Sequence, residues 1–320
     1  MSKEKLLKLH ELAALLDQAD FSSKHSLELL SGVIYYDQDD DDVWWPTDRL
    51  KFNPKRIDLS DKDHLVALGS GGVIEYLCKV TKNRRHKRFS DVIGDPRYSG
   101  PHIVSEGDSW FLYPVLIDET IDQLLLTNQD ALAIWSLGCA GDTLEEMEAE
   151  NEHWDYTYWN RPDIMLLSGG GNDILGGGNL YYLLNRYSVG DTASDLINKR
   201  AYAEIDLVVA RFSAIFAKMN TSFPSVRIIT HGYDYPVPKN DIWIEKPLRR
   251  RRIPKRLWKS VIKVMFDHYN KRLASVCASH ANAQYVDLRG TVRSSKDWFD
   301  EIHPTSKGFK KIAKKIRAAV

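Results

Sequence analysis

Asp163-Ile164-Met165-Leu166-Leu167-Ser168-Gly169-Gly170-Gly171-Asn172-Asp173 decides the fold class. Its apolar run is short and unbroken, as a strand buried on both faces of a parallel sheet requires. The glycines that follow make a tight turn at the strand's carboxyl end. The same rhythm recurs on either side from about Gly100 onward. Further strands are expected at 102–106, 131–137, 226–231 and 284–288. Helices are expected at 112–127, 143–152, 199–220 and 253–279, and a closing helix at 306–319 with Thr305 as its N-cap. In the 199–220 stretch, Ile205, Val208, Val209, Phe212 and Phe216 fall at helical spacing. Strands alternating with amphipathic stretches imply an α/β fold with a mostly parallel sheet.

Residues 1–95 break that rhythm and read as an accessory segment, leaving 96–320 as the α/β domain. The segment begins with an amphipathic helix over 3–20, with Leu6, Leu7, Leu9, Leu12, Ala13 and Leu16 on one side. An acidic tract at 37–42 then abuts Trp44, Trp45 and Pro46. Lys+Arg and Asp+Glu stand at 44 each, so no global field points to nucleic acid or an anionic partner. The N-terminus lacks the features of a secretory signal, and the apolar runs are strand-sized, too short for a membrane span. Cys78, Cys139 and Cys277 are odd in number and widely spaced, which favours reduced thiols in a cytoplasmic protein. Oligomeric state is not readable from the sequence.

Four short motifs carry chemistry: Gly107-Asp108-Ser109, Gly138-Cys139-Ala140-Gly141-Asp142, Gly169-Gly170-Gly171-Asn172-Asp173 and Asp300-Glu301-Ile302-His303-Pro304. The first three follow expected strands, so they converge at the carboxyl edge of the sheet, where ligands bind in open α/β folds. A serine hydroxyl is a weak nucleophile until a base takes its proton, and His303 can be that base for Ser109. Asp300 can fix the tautomer and orientation of the imidazole, with Glu301 as a partial substitute. Gly141 can offer a backbone N–H and Asn172 a side-chain amide to a developing oxyanion, with the Ser109 N–H as a third donor. The G-x-S-x-G elbow of α/β-hydrolases is absent, since Phe111 stands where the second glycine would be. No dense metal-ligand cluster or cofactor motif appears, so neither a metal nor a cofactor is expected.

The ordered set resembles the SGNH (GDSL-type) hydrolase family over residues 100–319. The resemblance implies a flavodoxin-like three-layer α/β/α sandwich and acyl transfer to water. Matched by motif, Ser109 would be the nucleophile, Gly141 and Asn172 the second- and third-block oxyanion donors, and Asp300 with His303 the final D-x-x-H pair. A small-molecule, lipid or carbohydrate ester is then the expected substrate. Carbohydrate deacetylase and lysophospholipase or thioesterase activities remain open within the family. Two departures bear on substrate: Trp110-Phe111-Leu112 follows the serine, and a long insert occupies 175–199. Trp110, Phe111 and His231 are candidate pocket residues. The basic stretch 246–256 could hold an anionic group, or pair with the acidic tract as a solvated loop. The competing function is a binding or effector module that acts through the N-terminal segment or this basic loop.

Overall fold

The computed structural model describes residues 6–18, 23–36, 50–59, 72–114, 116–126, 132–239 and 241–320. The acidic tract at 37–42, the adjoining tryptophans and the ends of the helix expected at 3–20 lie outside them. The chain opens with α1 (Leu9–Gln18), α2 (Ser23–Leu30) and an antiparallel ribbon of β1 (Ile34–Tyr36) and β2 (Leu50–Phe52). The long α3 (Gly72–Ile93) follows. The α/β region then runs β3 (His102–Glu106), α4 (Thr120–Leu125), β4 (Ala133–Ser136), α5 (Leu144–Glu150), α6 (Glu152–Asn160) and β5 (Ile164–Leu167). It continues through α7 (Gly171–Leu175), α8 (Leu180–Leu183), α9 (Lys199–Ser222) and β6 (Arg227–His231). It closes with α10 (Glu245–Arg250), α11 (Lys255–Ala278), β7 (Ala283–Val286) and α12 (Ser306–Arg317).

All five main strands are parallel, in the order β4-β3-β5-β6-β7. Every residue of β5, at the centre, is buried, which is why its sequence shows no polar alternation. Chain order reverses between β3 and β5. Right-handed crossovers therefore put α4 on one face and α9 and α11 on the other. The contacts agree, since α12 packs on α4 and α9 packs on α11. This is the α/β sandwich expected, and Ser109 and Asn172 follow the two strands that flank its switch point. Thr305 caps α12 through a hydrogen bond from the Gly308 N–H.

Several elements differ from expectation, two of them beside the site. The helix expected at 112–127 survives only as α4, capped by Glu119. Proline disfavours helical backbone at the residue before it, so Pro114 stops a helix from running through Tyr113. Residues 108–112 instead form a tight turn, with the Phe111 and Leu112 N–H groups both donating to the Asp108 carbonyl. The second difference is α6, which the sequence reading did not anticipate. Asn151, in the left-handed region at φ 59°, ends α5 and starts it.

The cysteine reading is also corrected. Cys78 and Cys139 form a disulfide, and only Cys277 is free and buried. Their separation of 61 residues hides the pairing in one dimension, but α3 carries Cys78 to the turn after β4. This helix works in two directions. Leu77 and Val80 pack with Leu9, Leu12 and Leu16 of α1, while Ile74 and Cys78 pack on Leu112. Arg85, from the same helix, is fully buried between Glu119 and Asp122 and donates to the Phe111 carbonyl at 2.8 Å. Burial opposes its charge, but the two carboxylates outweigh it and raise its pKa. Removing one partner from such a group leaves a bare buried charge, which is strongly destabilising. Among the described residues, no helix is long and apolar enough to cross a membrane.

Candidate active site

Ser109 lies in the first turn beyond β3, which the preceding Asp108 organises. The buried Asp108 carboxylate accepts from the Trp110 N–H at 3.0 Å, the Ser168 hydroxyl at 2.9 Å and the Tyr233 hydroxyl. Tyr233 in turn accepts from the Gly171 N–H at 3.1 Å, which ties the serine turn to the turn that carries Asn172. Backbones meet closely on the other side. A Cβ added to Gly138 would sit 1.8 Å from the Gly107 carbonyl oxygen, so only glycine fits there.

The loop before α12 brings the remaining groups. His303 Nε2 is 2.7 Å from Ser109 Oγ, and His303 Nδ1 is 2.7 Å from Asp300 Oδ2. A proton on Nδ1, shared with Asp300, leaves Nε2 free to accept from the serine. The other Asp300 oxygen accepts from the Ile302 and His303 N–H groups at 2.8 and 2.7 Å. Burial works against this carboxylate. The attraction and hydrogen bond of His303, with the two N–H groups, prevail and hold its pKa below the usual value. Glu301 is not available as a substitute orienter. It is fully buried and accepts from the N–H groups of Lys239, Ile244 and Glu245 at 2.9, 2.7 and 2.8 Å. These bonds fasten the 237–245 segment to the His303 loop.

The two glycine-rich turns face this chain of hydrogen bonds. Asn172 Nδ2 donates one hydrogen to the Asp142 carbonyl at 2.9 Å, which fixes the amide and leaves its second hydrogen. Gly141 sits at φ 103° with open space where a side chain would be. Among the described residues, no group accepts from the Ser109 or Gly141 N–H. The Asp142 carboxylate takes the Cys139 N–H at 2.6 Å. Burial pushes that carboxyl up to about 7, against the pull of this hydrogen bond. Beneath the turn, burial raises the Glu106 carboxyl well above its ordinary value, and it lowers His153, 3.9 Å away, to about 4.

A cavity of about 530 Å³, counted to its open mouth, begins at Ser109 and Asn172. Its walls are chiefly apolar, from Trp110, Leu175, Ile205, Met265, Phe266 and Ile302. Trp110 therefore lines it, whereas Phe111 and His231 stand outside the lining. Their rings pack on each other at 5.3 Å, and burial lowers the His231 pKa. Asp108, Tyr233 and the Cys78–Cys139 bridge are functional features not assigned from the sequence, and the bracing role of Glu301 differs from the orienting one expected of it. Only Asp108 had a local signal, as the middle residue of its motif. Among the described residues, no grouping of His, Cys, Asp and Glu suits a metal ion.

A family model described as "GDSL-like Lipase/Acylhydrolase family" matches residues 100–311. The chain belongs to this family. As a GDSL-type hydrolase it is an SGNH-type esterase acting on ester bonds. No curated protein matches it. Solved structures similar to this GDSL-type chain include a lipase from a goat rumen metagenome, at 14% identity and TM-score 0.49, covering 69% of this chain and 97% of that one. An acetylxylan esterase from Geobacillus stearothermophilus is similar at 15% identity and TM-score 0.43, over 69% and 94% of the two chains. An extracellular lipase from Streptomyces rimosus is similar at 16% and 0.46, over 69% and 100%.

Proposed function

We propose that this esterase works through a Ser109 acyl-enzyme, with His303 as base and Asp300 as its orienter. The observation that carries the reading is the unbroken line from Ser109 Oγ through the imidazole to Asp300, with both links at 2.7 Å. As Oγ attacks the ester carbonyl, its proton passes to His303 Nε2. The carbonyl oxygen becomes an oxyanion held by the Ser109 N–H, the Gly141 N–H and the free hydrogen of Asn172. His303 then gives its proton to the departing alcohol or thiol. It next takes one from a water that attacks the acyl group, and returns it to Ser109 as the acid leaves. Residues 1–95 serve as an accessory segment attached through α3.

The cavity favours an acyl chain over a sugar. Beyond Ser109 and Asn172 its polar groups are engaged, since Tyr233 bonds Asp108 and Asp234 accepts from the Gly290 and Val292 N–H groups. What remains is apolar wall, which gains by burying methylenes. A lysophospholipase- or thioesterase-like substrate therefore fits better than an acetylated carbohydrate. Hydrolysis of p-nitrophenyl esters from acetate to long chains, by wild type and Ser109→Ala, tests both parts. The expected result is turnover that needs Ser109 and rises with chain length beyond acetate. Turnover retained by Ser109→Ala would refute the nucleophile, and a preference for acetate would refute the acyl pocket.

A further inference from the structure

The insert at 175–199, whose first residue alone lines the cavity, and the basic run at 246–256 meet on one surface. The Tyr187 N–H donates to the Arg251 carbonyl at 2.9 Å, and Arg251 Nε donates to the Tyr181 carbonyl at 2.8 Å. The Arg251 guanidinium lies 3.8 Å over the Tyr181 ring, and Arg256 reaches the Tyr187 hydroxyl at 3.2 Å. Arg251 thus serves as a clamp between the two stretches, while its neighbours point outward. Arg186, Arg250, Arg252, Lys255 and Lys259 are all exposed. Beside them the insert projects Val189, 97% exposed, on a turn completed by Gly190 at φ 100°, and Tyr182 is half-exposed.

Nearby carboxylates have partners other than these cations. Glu245 pairs with Arg249, while Asp191 and Asp195 accept from the Ser188 and Thr192 N–H groups. Among the described residues, no carboxylate pairs with Arg250, Arg252, Lys255 or Lys259. The surface also lies on the active-site edge. Helices that follow parallel strands run back against them, so α9 and α11 begin at the edge where Ser109 sits. Ile205 and Met265, which line the cavity, stand within the first three turns of those helices.

We propose that this surface binds an anionic lipid bilayer and presents the cavity mouth to it. The reason to do so rests on the acyl-ester reading above, but the binding itself does not. Free cations supply an attraction to acidic headgroups that salt screens. Protruding apolar and aromatic side chains add insertion at the interface. A single-stranded nucleic acid fits less well, because it needs open aromatic faces to stack on. Tyr181 is covered by Arg251, which leaves Tyr182 as one exposed ring and not a row of stacking faces.

The test is co-sedimentation of the full chain with vesicles of phosphatidylcholine, alone or mixed with phosphatidylserine. A Ser109→Ala chain avoids turnover and is expected to bind as wild type does. Wild type should bind the mixed vesicles, release them at high salt and ignore the neutral ones. A chain carrying Arg250→Gln, Arg252→Gln, Lys255→Gln and Lys259→Gln should lose about fivefold in partitioning for each charge removed. It should still hydrolyse a short soluble ester at the wild-type rate, which shows that fold and site are intact. Val189→Asp, an independent change, should weaken binding at low salt. The proposal is overturned if wild type binds neither vesicle, binds both equally, or is matched by the fourfold variant. Preference for a single-stranded oligonucleotide over the mixed vesicles would also overturn it. Vesicle binding without ester hydrolysis would instead refute the acyl-enzyme reading and leave the surface standing.

Discussion

The turn after β4 and the turn after β5 look alike in sequence, and on the proposed reading each supplies one oxyanion donor, yet they are held in opposite ways. The β5 turn is braced from within the sandwich. Tyr269 donates to the Gly169 carbonyl at 2.8 Å, and Tyr233 holds the Gly171 N–H. The β4 turn is braced from outside, by the Cys78–Cys139 bridge to α3, a helix of the N-terminal segment. Its inward ties include the Asn172 amide on the Asp142 carbonyl and the Leu144 N–H on the Asp173 carboxylate. A catalytic-type loop can therefore depend on a part of the chain that carries no motif. The two turns are also coupled, because Asn172 belongs to one and is oriented by the other.

This contrast can be broken at graded points. The largest effect is expected from Gly138→Ala, which drives a methyl into the Gly107 backbone and pushes the β4 turn away from the serine turn after β3. Backbone cannot yield as a flexible side chain can, so little folded, active protein should be recovered. A soluble variant with normal ester turnover would show that the β4 turn is not locked against the serine turn. Asn172→Ala should lower kcat by about 10²–10³-fold with little change in KM, as loss of one oxyanion donor does. A change confined to KM would assign Asn172 to substrate binding instead.

Cys78→Ser sharpens the comparison, because it releases only the outer brace. Opening a cross-link that spans 61 residues should cost about 4 kcal/mol of stability, read by urea unfolding. Turnover should fall by less than in Asn172→Ala, since the inner brace persists. Unchanged stability and turnover would mean that the β4 turn does not need α3. The last point is Asp142→Asn, whose effect is read in the pH dependence of stability. With its carboxyl at about 7 in the fold, wild type is penalised when Asp142 must ionise. Its stability relative to the variant should therefore fall as pH rises from about 4 through 7, and then level off. Urea midpoints at pH 5 and pH 8 measure this, and parallel pH profiles would contradict it.

What was readable from sequence follows the same division. Strand β5 and the turns after β3, β4 and β5 announce themselves through unbroken apolar runs and glycines. Ser109, Asp300 and His303 are readable as residue types in order, and the structure brings them together. Helix α6 was hidden because Trp154, Tyr156, Tyr158 and Trp159 form helices weakly by propensity and give no clear stripe. Pro114 is a local stop signal inside 112–127, and the helix forms only beyond it. The braces were invisible for a different reason. Arg85 with Glu119, Cys78 with Cys139, and Glu301 with the 239–245 backbone join residues far apart in the chain. No periodicity relates such residues, and only the packed sheet brings them within reach.

The most direct test of the central claim is covalent labelling with a fluorophosphonate probe, with the adduct located by mass spectrometry in wild type and His303→Ala. The account predicts a single adduct on Ser109 in wild type and little or none once His303 is removed. An adduct on another residue, or Ser109 labelling that persists at the wild-type rate without His303, would contradict it.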